Sequence, residues 1–72
     1  MYETLEGQVV AAQVASIHGA VFYDVVVQTS VGGRRLRFQD TFLSPAPKAG
    51  EFLRIELILG NVNGVERIAQ NA

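Results

Sequence analysis

The chain has no cysteine, a single histidine and only 18% charged residues among its 72. Without thiols it has neither a disulfide framework nor a thiolate metal site to support a small core, and no cysteine nucleophile. His18 sits beside Gly19 with no second histidine and no carboxylate at metal-ligand spacing, so the sequence predicts neither a metal centre nor histidine-based catalysis. No apolar run reaches the roughly 18 residues of a membrane-spanning helix. The opening MYETLEGQ carries acids where a secretory leader needs a positive region and then an apolar one, so a cytoplasmic protein without membrane association is expected.

The acids form no catalytic constellation. Asp24 and Asp40 are placed to meet Arg35 or Arg37 across a sheet, and a carboxylate beside an arginine has its pKa lowered instead of poised for proton transfer. Glu51 and Glu56 are five apart and fall on opposite faces of a strand, and no Ser/His/Asp arrangement emerges. Gly32-Gly33-Arg34 lacks the strand-loop-helix setting and the lysine-hydroxyl ending of a phosphate loop, so it reads as a turn. The expectation is a non-enzymatic protein with no cofactor and no metal.

What the chain does have is 49% apolar residues, too many for a disordered chain. One domain over residues 1–72 follows. A domain of this size buries only about 60% of its unfolded surface, so a partner or a second copy would add stability. The net charge of -1 conceals an uneven distribution. Glu3 and Glu6 make the start acidic, while Arg34, Arg35 and Arg37 make the middle basic.

Leu5 to Val14 predicts a first strand bent near Gly7, with Leu5, Val9 and Ala11 on one phase and Val10, Ala12 and Val14 on the other. A loop around His18-Gly19 leads into Val21 to Thr29, too β-branched for a comfortable helix, with Val21, Tyr23, Val25, Val27 and Thr29 facing the core. The other face carries Phe22, Asp24, Val26 and Gln28. Gly32-Gly33 predicts a tight turn into Arg34 to Asp40, where Leu36 and Phe38 face inward and Arg35, Arg37 and Gln39 outward. Pro45 and Pro47 make Thr41 to Gly50 a loop with one short turn at its start. Glu51 to Leu59 gives a fourth strand with Leu53, Ile55, Leu57 and Leu59 inward. Asn-Gly chemistry in Gly60 to Gly64 predicts a hairpin into Val65 to Ala69.

Five antiparallel strands in so short a chain predict an all-β fold, a small closed or nearly closed barrel with few free edges. The layout is similar to an oligonucleotide-binding-type or SH3-like barrel, with the proline loop where the former commonly has a helix.

Arg34, Arg35 and Arg37 are the candidate ligand contacts, since guanidinium groups hydrogen-bond phosphate in pairs and stack on bases. Regular alternation makes Arg35 and Arg37 the pair that acts together. Phe22 and Phe52 lie on the phases opposite the core and are the rings available for stacking. The plain alternative is a solvated strand face paired with Asp24 or Glu56. Two functions fit: binding of single-stranded DNA or RNA through the arginines, or a homo-oligomeric or protein-interaction module burying Phe22, Val26, Phe52 and Ile58. Salt separates them, because phosphate contacts weaken with added salt and apolar interfaces do not.

Overall fold

Runs free of interior proline build five strands in the computed structural model, which describes residues 1–70. These are β1 (Tyr2–Ile17), β2 (Ala20–Thr29), β3 (Gly32–Gln39), β4 (Phe52–Ile58) and β5 (Asn61–Ile68). They form one antiparallel sheet in the order β3-β2-β1-β4-β5. The sheet is not closed into the expected barrel: β3 and β5 are its two edges, and no ladder joins them.

β1 serves both halves of the sheet. Its residues Tyr2 to Gln8 pair with β4, and Gln8 to Ile17 pair with β2. At Gly7, where the sequence predicts a bend, β1 runs on as regular strand and the end of β2 comes close to it. A Cβ on Gly7 would press on the Gln28 carbonyl and come within 2.7 Å of Val27 Cγ1, so only glycine lets the end of β2 lie this close. Just beyond, the register jumps from Val9↔Val27 to Ala11↔Val26, leaving Val10 as a bulge. The bulge reverses the phase, which the alternation in the sequence does not reveal. Ala12, not Ala11, packs against the core.

The core consists of Leu5, Val9, Tyr23, Val25, Val27, Phe38, Leu43, Leu53, Ile55 and Leu57. It draws on β1 through β4, so the single sheet curves around one apolar interior. Each such side chain contributes about 1.5 to 3 kcal/mol on burial. Tyr23, Phe38 and Phe42 form an edge-to-face series, with centroids 5.7 and 6.4 Å apart.

Two turns lie elsewhere than the sequence suggests. The β2-β3 turn is Ser30-Val31, closed by Thr29, whose Oγ1 donates to the Gly32 carbonyl at 2.7 Å and accepts from the Val31 amide at 3.2 Å. Gly32 (φ 122°) and Gly33 therefore open β3. The β4-β5 turn is Leu59-Gly60, both at positive φ, of 52° and 82°. Leu59 is not inward but 74% exposed. Asn61 to Gly64 belong to β5, with Asn63 as a bulge between the Leu57↔Val62 and Glu56↔Gly64 pairs.

The connection from β3 to β4 starts with one 3-10 turn, Asp40–Phe42, and continues as the proline loop. Arg67 Nη2 donates to the carbonyls of Pro45 (2.6 Å) and Ala46 (3.0 Å), while Nε meets Glu51 Oε2 at 2.8 Å. Backbone bonds tie Val9 to Gly50 and Glu51. The loop thereby caps the interior with buried Leu43 and Pro47. No helix among the described residues is long and apolar enough to cross a membrane.

Gly7→Ala should destabilise the fold by about 2 to 3 kcal/mol through overpacking against backbone, read as a lower urea midpoint. Gly64→Ala should be close to neutral, because its new methyl meets only the movable Glu56 side chain at 3.4 Å. Leu59→Asn should stabilise by about 1 kcal/mol, since asparagine tolerates the left-handed backbone that leucine does not.

Candidate nucleic-acid interface

The β2-β3 register pairs Val26 with Arg35, Asp24 with Arg37 and Phe22 with Gln39. β1 extends these rows with Ala11, Gln13 and Ala15. Because side chains alternate across a strand, all nine residues share the outer face of the three-stranded half. Phe22, Arg35 and Arg37 are therefore brought together as the sequence suggests. Arg34 is not: it has the opposite phase, and its Nη1 reaches Glu3 Oε2 at 3.4 Å.

The two arginines of this face differ in their partners. Arg37 grips Asp24 in a two-pronged pair, Nε to Oδ1 at 2.6 Å and Nη2 to Oδ2 at 3.0 Å. That hydrogen bonding, helped by the charges of Arg37 and Arg35, holds the Asp24 carboxyl below its ordinary value and raises Arg37 in turn. Arg35 has no carboxylate partner among the described residues. It borders an open groove of about 210 Å³ whose other walls are Ala11, Ala12, Gln13, Val25, Val26 and Asp24, the last committed to Arg37. The small alanine side chains leave its guanidinium accessible.

Phe52 occupies a different part of the outer surface. It belongs to a row that crosses every strand, Ile68, Phe52, Gln8, Gln28 and Gly33. Its ring is half-buried, at the edge of a second open groove, of about 430 Å³. Six residues of β2 separate Gln28 from Phe22, roughly 20 Å, so the two rings cannot flank the same base. Beside Phe52, Arg54 bridges Glu6 Oε2 (2.6 Å) and Glu66 Oε1 (2.7 Å), a cross-strand triad that raises Arg54 and needs the strand register to be seen.

His18 lies at the exposed tip of the β1-β2 hairpin, at φ 51°. Among the described residues no cluster of three His, Cys, Asp or Glu is placed to hold a metal ion. Asp40 begins the 3-10 turn and makes no ion pair with Arg35 or Arg37.

The fold and face define a small all-β protein with one open sheet. No protein-family model matches the chain, and neither a curated protein nor a solved structure shows significant similarity to it.

Asp24 and Glu51, the latter lowered by hydrogen bonds from Arg67 and the Lys48 amide, share one pH signature. Their folded pKa values lie below the ordinary 3.8 and 4.5, so their stabilisation is present above those values and is lost as pH falls through the folded ones. Wild type should melt higher than Asp24→Asn at neutral pH. The difference should shrink as pH drops below 3.8 and vanish once Asp24 is protonated in both states.

Proposed function

We propose that this protein binds single-stranded nucleic acid on the outer face of β1, β2 and β3. The observation that carries the reading is Arg35, a guanidinium without a carboxylate partner among the described residues, beside a shallow groove on the face that also presents Phe22. Arginine offers paired donors to phosphate and a flat surface to a base. The strand order β3-β2-β1-β4-β5 leaves β3 and β5 as the edges of one sheet. We take it as an oligonucleotide-binding-type layout, whose second and third strands present the ligand face.

The net charge of -1 and the Asp24 carboxylate beside Arg37 set the strength of this binding. Few phosphates are neutralised per chain, so affinity is low for one copy and grows when several copies line one strand.

Titration of a labelled mixed-sequence oligonucleotide at several salt concentrations tests the proposal. Arg35→Ala should weaken binding and flatten the dependence of log K on log salt by about 0.7, the loss of one phosphate contact on a single strand. Asp24→Asn should tighten binding several-fold by freeing Arg37. Unchanged binding in Arg35→Ala would show that the site is misassigned.

A second reading, an assembly module, is favoured by the apolar surface at the other end of β1. There Tyr2 (61% exposed) pairs with Ile58 (41%), beside Leu59 and Met1. Light scattering separates the readings: a self-association that persists at high salt and ignores oligonucleotide belongs to the apolar surface.

A further inference from the structure

We infer that the groove beside Phe52 is a seat for one unpaired nucleobase, held by the Phe52 ring and the side-chain amides of Gln8 and Gln28. The inference rests on the nucleic-acid reading above and extends it from phosphate contact to base contact.

The groove offers about 430 Å³ of open space, within the range of small-ligand sites, and its chemistry is that of a flat neutral heterocycle. Phe52 and Ile68 supply an apolar surface, and Ser30 lies at the margin. Gln8 and Gln28 face each other across the β1-β2 ladder, and Phe52 stands opposite Gln8 on β4. The Gln28 amide makes no hydrogen bond among the described residues, and Gln8 uses only its Nε2, in a 3.4 Å bond to the Gly50 carbonyl. Three free N–H donors and two free carbonyl oxygens therefore border an aromatic ring. A primary amide presents a donor beside an acceptor, which every base can meet on one edge, so the seat recognises a base without selecting one.

Charge around the seat is balanced. Glu6 lines the groove, and its carboxylate is held by Arg54 at 2.6 Å, so it does not present an isolated negative charge to an incoming strand. The seat is also continuous with the phosphate contact. Val26, the partner of Arg35, lies two residues from Gln28 on the same face of β2, roughly 7 Å away. Phe52 itself is three strand spacings across and two residues along from Arg35, roughly 16 Å, so a strand whose base rests on Phe52 brings a phosphate two to three nucleotides away to Arg35. The Gly7 close approach brings β1 and β2 together here, and Gly7 itself borders the groove.

The test compares three probes by fluorescence anisotropy: a mixed oligonucleotide, an oligoadenylate and an abasic strand of equal length. Expected are tenfold or greater weakening for the abasic strand, and a similar loss in Phe52→Leu for the base-bearing strands only, with the salt slope unchanged. Gln28→Ala, at an exposed position without a hydrogen-bond partner, should weaken the same strands several-fold while leaving the urea midpoint in place. Should Phe52→Leu lower the midpoint, the Gln28 variant decides. Equal affinity for abasic and base-bearing strands, with Arg35 dependence intact, overturns the base seat and leaves the phosphate reading standing. Absence of binding to any of the three probes overturns both.

Discussion

The close approach of β2 to Gly7 is the constraint on which the rest of the molecule depends. Because β1 has no side chain there, it can pair with β4 on one stretch and β2 on the next. That change of partner makes one sheet out of two halves and lets Val27 and Leu53, each fully buried, contribute to the same interior. The Val10 bulge then resets which residues of β1 face inward, so that Ala11, Gln13 and Ala15 end on the outer surface beside the arginine strand. A small chain obtains a core and a usable face from the same strand.

Charge in this molecule works chiefly as cross-linking between strands. Arg54 joins β4 to both its neighbours through Glu6 and Glu66, Arg37 joins β3 to β2, and Arg67 fastens the proline loop. Exposed pairs of this kind add little stability each, but they favour one register over its one-residue slips, which would break them. Arg35 stands apart because its cross-strand neighbour is Val26, which offers it no hydrogen bond. The difference between a structural arginine and an available one is thus decided by the residue opposite.

Much of this could be read in advance where alternation was strict. Tyr23, Val25 and Val27 in β2, Phe38 in β3 and Leu53, Ile55 and Leu57 in β4 are buried as their spacing implies. The shared face of Phe22, Arg35 and Arg37 followed from the same rule. What escaped were the places where period two breaks. Val10 and Asn63 are bulges inside the β1-β2 and β4-β5 hairpins, and no local residue type announces them. Leu59 lies in a tight turn despite its apolar side chain, because the Asn63-Gly64 signal was absorbed into the ladder and the chain reversed four residues earlier. The Phe52, Gln8 and Gln28 row was invisible for a related reason, since it requires the registers of β1 with both β2 and β4.

The open edge at β3 carries a consequence for the behaviour of the protein in concentrated solution. An unpaired strand invites addition of another, the first step of aggregation, and natural sheets discourage it with charge. Three arginines within the eight residues of β3 would crowd guanidinium groups together if two such edges met. The same residues that the proposed function assigns to an anionic chain thus also oppose edge-to-edge stacking of copies, and exchanging them for neutral side chains removes that guard along with the charge.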